Sequence, residues 1–324
     1  MRRSFMIVMV AASILLMIGC FGKKKGEEKV VAVVPKSQAH IFWQTVHAGA
    51  VAAGQDLGVK IRWKAPTTET DYSQQIRIVE DFITQRVDGI VLAPTDRKAL
   101  VPYILRAGKK GIPVTIFDSG ADTEEYVSFV ATDNYQGGVM GAERMAEILS
   151  GKGKLVVIKV IPGSASTTAR ENGFRDAIKK NYSPRMEIVD SRYGMSDRAE
   201  SLRVTEDLLT AHPNLDGIFA ANEPGAVGAL QAVKARGLAG KIKIVGFDSS
   251  EQLLKGVRDG IIDSLVVQDP FNIGYEAVKT IADNLNGKTP PKRIPTRATL
   301  ITRDNLDLEE IQKLLNPDIE KYLK

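Results

Sequence analysis

Five polar residues stand at the ends of short apolar runs: Lys36 after VVAVVP, Asp118 closing PVTIFD, Asn222 closing DGIFAAN, Asp248 closing KIKIVGFD, and Gln268 in DSLVVQD. Ionised Asp only accepts hydrogen bonds, Lys only donates, and the amides of Asn and Gln do both. Five such residues on strand ends favour a cleft lined by them. Each residue alone is equally an ordinary helix cap. The pair Asp118 and Asp248 also fits the two carboxylates of a glycosidase, an extracytoplasmic carbohydrate-active enzyme being the alternative of another class. No catalytic pattern supports that alternative: there is no G-x-S-x-G, H-E-x-x-H or Walker loop, and GGVMG at 137–141 lacks the G-x-G-x-x-G spacing. The single Cys, Cys20, excludes an intramolecular disulfide, and three His (40, 47 and 212) leave little for a metal site. Neither metal nor cofactor is expected.

The elements that must position these residues alternate along the chain. Apolar, β-branched runs at 30–35, 59–63, 88–94, 113–118, 155–161, 186–191, 216–222, 241–248 and 263–269 are separated by amphipathic stretches, one with Ile76, Val79, Ile83 and Val87 at helical spacing. Strands apolar on both faces and separated by helices predict parallel sheets covered on both sides. The fold class is α/β. An internal repeat divides it in two: VEDFITQRVDGIVLAP (79–94) matches TEDLLTAHPNLDGIFAAN (205–222), and each is followed by a strand ending Phe-Asp-Ser, at 117–119 and 247–249. The offset of 128 residues between Asp88 and Asp216 is too long for a solenoid unit. Two similar doubly wound parallel-sheet lobes follow, and in such sheets ligands bind beyond the carboxyl ends of the strands.

Charge and apolarity are uneven at the start. Arg2 and Arg3 precede an apolar run over 5–18 that ends in M-I-G-C. That is the layout of a secretion signal, and the run is short of the roughly 20 residues a spanning helix needs. The M-I-G-C string resembles a bacterial lipobox, with Met in place of the usual Leu. It implies a signal peptide over 1–19, a lipid on Cys20, and a tether over 20–28. The formal net charge of +5 falls to +3 without residues 1–19, which gives no reason to expect nucleic acid as a partner.

Read together, VVPKSQAHIFWQTVHAGAVAAGQDLG, IVLAPTD, IPVTIFDSG, VATDNYQGG, GSASTTARENGF, FAANEPGAVGAL, IVGFDSS and VVQDPFNIG resemble, in order, the periplasmic sugar-binding proteins of ABC importers, the ribose/galactose-binding type I family. The resemblance covers nearly everything after residue 29. Repressors of the lac family share this body, but here a secretion signal and tether stand where their DNA-reading helices would be. The resemblance implies a monosaccharide or polyol ligand captured between two closing lobes and delivered to a membrane permease by a monomeric protein. It implies a three-strand hinge near 133–134, 268–269 and 297–298, an N-terminal lobe of 29–133 with 269–297, and a C-terminal lobe of 134–268 with 298–324.

Carried across residue by residue, it implies that Phe42 and Trp43 sandwich an apolar sugar face. Asp118 and Asp248 accept from hydroxyls, Arg170 donates a fork of hydrogen bonds, and Asn222 and Gln268 do both. Three positions depart from the ribose-binding pattern: Lys36, His40 and Ser119. Lys36 is expected either to pair with Asp118 or to bind a ligand oxygen. At the second-lobe aromatic position ungapped alignment puts Ser196, with Tyr193 and Met195 nearby as the other candidates for that contact. Sequences with P-K-x-x-x-H-x-F-W look like binders of pentoses, hexoses or sugar alcohols. A receptor for a sugar or an autoinducer-2-type signal, feeding a chemoreceptor or sensor kinase, is the related alternative.

Overall fold

The computed structural model describes residues 28–323; Cys20 and the proposed signal and tether, apart from Glu28, lie outside them. Strands β1 (Lys29–Val34), β2 (Val59–Trp63), β3 (Gly89–Leu92), β4 (Val114–Phe117) and β5 (Phe129–Thr132) form one sheet. Strands β6 (Gly153–Lys159), β7 (Met186–Tyr193), β8 (Gly217–Ala220), β9 (Lys243–Phe247) and β10 (Ser264–Gln268) form a second. The chain then gives β11 (Arg293–Thr296) to the first sheet and β12 (Ala298–Thr302) to the second. The orders are β2-β1-β3-β4-β5-β11 and β7-β6-β8-β9-β10-β12, the same winding twice. Pairing is parallel throughout except between β10 and β12. That exception has a geometric cause. The carboxyl ends of the two sheets face each other, and only Arg297 separates β11 from β12. A strand leaving the first sheet parallel to its neighbours therefore enters the second from its carboxyl end, against the others.

Helices α1 (Ile41–Leu57), α2 (Tyr72–Thr84) and α3 (Val101–Lys109) flank the first sheet. Then α4 (Asn134–Ile148), α5 (Ala165–Asn181), α6 (Arg198–Ala211), α7 (Glu223–Ala235) and α8 (Glu251–Arg258) flank the second. Next α9 (Pro270–Leu285) returns to the first, and α10 (Glu309–Leu315) packs Ile311 into the second lobe's core. The chain passes between sheets at Asp133, Asp269 and Arg297. Asp133 and Asp269 each cap the helix that follows, accepting from the backbone N–H of Gln136 and Asn272 at 3.1 Å. Downstream of α10 the chain leaves the second lobe, and Tyr322 meets Phe271 at the start of α9 with ring centres 5.7 Å apart.

Central strands β3, β4 and β8 are buried along their whole length. They carry one apolar cluster on each face of each sheet, and no cluster spans both lobes. Each lobe also locks one helix pair by reciprocal glycines. A Cβ on Gly49 of α1 would fall 2.0 Å from the carbonyl oxygen of Phe271, and one on Gly274 of α9 would fall 2.1 Å from that of Val46. In the second lobe, Gly138 of α4 and Gly173 of α5 stand in the same relation to Arg170 and Tyr135, at 2.0 and 2.1 Å. Backbone this close leaves no room for a methyl group, so Gly274→Ala and Gly173→Ala are each expected to cost about 1–3 kcal/mol. Gly108 on α3, with nothing within 4 Å of its Cβ position, should accept Ala without loss. Urea unfolding midpoints of the three variants test this, and an unchanged midpoint for Gly274→Ala would refute the close packing.

Candidate functional site

The two doubly wound sheets present their carboxyl ends to one another, and the sequence-marked residues meet in the cleft between them. Asp118 and Asp248 follow β4 and β9, the equivalent strands of the two lobes, and both adopt left-handed backbone, with φ of 56° and 64°. Non-glycine residues occupy that region at a cost of order 1–3 kcal/mol, a type of strain that concentrates at functional sites. Both side chains are buried, and so are Lys36, Arg170, Asn222 and Gln268.

Lys36 Nζ lies 2.9 Å from Asp118 Oδ2, 2.9 Å from Ser166 Oγ and 3.3 Å from Ser164 Oγ, the serines belonging to the opposite lobe. Its approach to Asp118 is poorly angled for a hydrogen bond, so Oδ2 is held by charge and not by a directed proton. Arg170 donates from Nε to Asn134 Oδ1 at 2.7 Å and from Nη1 to the carbonyl of Ala221 at 3.0 Å, with its guanidinium 4.0 Å above the Phe247 ring. Only a loose pair, 3.6 Å, remains for Asp248. Gln268 donates to Asp248 Oδ1 at 2.7 Å. Burial pushes the Asp248 carboxyl up to about 6, against the pull of Arg170 and of the Gln268 hydrogen bond, while the Asp118 charge adds to the rise.

The aromatic pair divides its duties. Phe42 lines the cleft and is only partly buried. Trp43 also reaches the cleft, but it belongs to the first lobe's core, meeting Phe42 edge-on at 4.9 Å and Phe117 at 6.3 Å. Its indole N–H donates to Glu69 at 2.9 Å. Both rings expected to sandwich a sugar face thus line the cleft, Phe42 being the more accessible and Trp43 the more deeply packed. Asn222 is a helix cap: its Oδ1 accepts from the Gly225 N–H at 3.0 Å, and its Nδ2 donates to Ser196 Oγ at 3.0 Å. It lines the cleft with both polar ends engaged. Ser119 lies beside the cleft and accepts from the Ser166 N–H at 3.2 Å. His40 faces Ser196 across the lobes at 3.5 Å. Of the three candidates for the second-lobe aromatic contact, Ser196 is buried, whereas Tyr193 and Met195 are exposed.

Glu69, Ser166, Thr167, Glu223 and Pro224 also line the cleft; no motif in the sequence singled them out. Glu223, wholly buried, is neutralised by Arg198. The most informative atoms are Asp118 Oδ2, Thr167 Oγ1 and Gln268 Oε1. All three are buried without a hydrogen-bond partner, and all belong to residues lining this cleft. Such atoms are uncommon in folded proteins and call for an explanation. The lobes stand close, enclosing about 30 Å³, roughly the volume of one water molecule. A groove of about 420 Å³ lies beyond Phe42, Asp248 and Gln268, bordered by α1, α8 and the segment after α10. It touches none of Lys36, Trp43, Asp118, Arg170 or Asn222, so the converging charges mark the smaller cleft as the site. Among the described residues, no cluster of His, Cys, Asp and Glu is placed to hold a metal.

Fold and cleft together define a two-lobed solute-binding protein of type I topology. Comparison with known proteins bears this out. Residues 31–289 match the family described as periplasmic binding protein domain, and the chain belongs to that family. It is 32% identical over 262 residues to the ribose import binding protein RbsB of Bacillus subtilis, covering 81% of this chain and 83% of that one. Among solved structures, a carbohydrate transporter solute-binding protein from Agrobacterium radiobacter in complex with D-arabinose matches with a TM-score of 0.87 and 36% identity, covering 89% of this chain and 99% of the other. An ABC transporter solute-binding protein from Agrobacterium vitis with bound D-fucose matches at 0.86 and 36%, with coverage of 89% and 100%.

The raised Asp248 carboxyl sets a pH dependence. The folded protein holds this proton more tightly than the unfolded chain, so ionisation destabilises the fold. The cost is absent below about pH 4, grows through the window between the usual value and about 6, and is complete above it. Asp248→Asn should therefore stabilise the ligand-free protein at pH 7.5 by about 2–3 kcal/mol, with the gain vanishing near pH 4. Thermal denaturation of both proteins across that range measures it, and a gain independent of pH would contradict the assignment.

Proposed function

We propose that this protein is the solute-binding component of an ABC importer, capturing a monosaccharide or sugar alcohol between its lobes and handing it to a membrane permease. The observation that carries the reading is that Asp118 Oδ2, Thr167 Oγ1 and Gln268 Oε1, all buried without a hydrogen-bond partner, belong to residues lining the same cleft as Phe42. A sugar supplies what these atoms lack: hydroxyl protons for the carboxylate and the amide oxygen, and a C–H face for the ring. Arg170 keeps Asp248 from standing alone as a buried charge and offers its remaining donors to ligand oxygens. The relatives named above carry ribose, D-arabinose and D-fucose in their descriptions, which supports a monosaccharide-type ligand for this cleft.

In this reading the lobes, 29–133 with 269–297 and 134–268 with 298–324, rotate about the crossings at Asp133, Asp269 and Arg297. A ligand touching both lobes favours the closed form because its full set of contacts exists only there. The family places the protein outside the cytoplasm. An acyl chain on Cys20 would hold it at the membrane, within reach of the permease. Binding without turnover is the expected chemistry, since no catalytic motif accompanies the two cleft carboxylates.

A thermal-shift screen over pentoses, hexoses and polyols identifies the ligand. At a concentration about a thousand times Kd, the ligand should stabilise the protein by about 4 kcal/mol. Asp118→Ala and Arg170→Ala should each abolish the shift, and Thr167→Val should reduce it. Retention of the full shift by both alanine variants would place the site elsewhere. Recovery of the bound sugar intact from the denatured protein separates a binder from an enzyme.

A further inference from the structure

A short stretch of the second lobe, 163–166, which joins β6 to α5, makes several direct hydrogen bonds to the first lobe. The Arg97 N–H donates to the carbonyl of Gly163 at 3.0 Å, and the Ser166 N–H donates to Ser119 Oγ at 3.2 Å. Lys36 Nζ reaches Ser166 Oγ at 2.9 Å and Ser164 Oγ at 3.3 Å. Two details set this stretch apart. Ser164 occupies the N-cap position of α5 yet makes no capping hydrogen bond with its side chain; its hydroxyl accepts from Lys36 across the cleft. Gly163 has φ of +83°, and a Cβ there would fall 2.1 Å from Asp96 Oδ2 of the other lobe. Only glycine permits this approach.

Lys36 is 2% exposed; its ammonium donates to Ser164 and Ser166 and lies against the Asp118 carboxylate. Closing the lobes strips water from the Lys36–Asp118 pair, and the two serines replace that water. Without them closure would bury an ammonium short of partners. We propose that Lys36 and the Gly163–Ser166 stretch form a latch. It closes the cleft through protein contacts alone and sets a common factor in the affinity for every ligand. This rests on the closing-cleft reading above, and it moves Lys36 from the ligand contacts to the closure machinery. A latch of this kind raises the fraction of protein already competent to bind, and the apparent Kd falls in proportion for all ligands alike. A residue that touches the sugar changes the ratios between sugars instead.

The double substitution Ser164→Ala/Ser166→Ala tests the proposal with two measurements. In solution scattering without sugar, the variant should show a larger radius of gyration than the parent. In calorimetry with D-ribose, D-arabinose and D-fucose, each sugar that the parent binds should bind about tenfold more weakly, by one shared factor. Gly163→Ala, which blocks the approach from outside the cleft, should give the same signature. An unchanged radius of gyration in the serine variant overturns the latch, as does a loss that differs between sugars. If the parent binds none of the three sugars, the sugar reading fails while the scattering comparison still decides the latch.

Discussion

Two buried carboxylates facing each other across a cleft are the constraint that organises the rest of this molecule. Asp118 and Asp248 end equivalent strands, and each is turned inward by a left-handed backbone at 56° and 64°. Like charges brought together away from water repel, and the raised Asp248 carboxyl registers both the burial and the Asp118 charge. The fold answers with one cation per carboxylate, on different terms. Lys36 sits against Asp118 within its own lobe, whereas Arg170 spends its best donors on Asn134 and Ala221 and holds Asp248 loosely. The two are thus satisfied differently: Asp248 accepts a hydrogen bond from Gln268, whereas Asp118 Oδ2 has a cation beside it and no hydrogen bond. A ligand bringing neutral donors relieves that deficit without adding charge, whereas an anionic ligand would worsen it.

Much of this was legible in the sequence, for reasons that can be traced to particular residues. Fully apolar strands broken by one polar residue mark both the sheet and its functional edge, so Lys36, Asp118, Asp248 and Gln268 could be found without any alignment. The Phe-Asp-Ser repeat revealed that Asp118 and Asp248 are equivalent. The strands at the β11 side of the first sheet were harder. RIPT in β11 and FVAT in β5 are four residues each, and the first carries a proline. Such short strands exist because a sheet is already there to accept them. Glu69, Thr167 and Glu223 were invisible because nothing local distinguishes a cleft carboxylate or hydroxyl from a solvated one. Only the approach of two lobes distant in sequence gives them a role. Asn222 and Trp43 show the converse: their residue types fitted a ligand contact, but capping in one case and core packing in the other take up most of their bonding capacity.

The separate cores explain how the cleft can open at all. Each apolar cluster stays within one lobe, and each lobe locks a helix pair by glycines too close to a facing backbone to admit a methyl group. Such packed units move as bodies, because interiors at this density do not deform gradually. The crossings at Asp133, Asp269 and Arg297 are single residues between regular elements, which confines the change of angle to a few backbone torsions.

The direct contacts between lobes differ in kind from those within them. Arg97 to Gly163, Ser166 to Ser119, Lys36 to Ser164 and Ser166, and His40 to Ser196 are all polar. On opening, every one of these groups regains hydrogen bonds from water, so each contributes little net stability. The balance between open and closed forms therefore rests on a few kcal/mol, a range in which a small neutral ligand bridging Asp118 and Asp248 can decide the outcome. A cleft closed by hydrophobic burial would trap its cargo, whereas one closed by exchangeable hydrogen bonds can release it when a partner surface pulls the lobes apart.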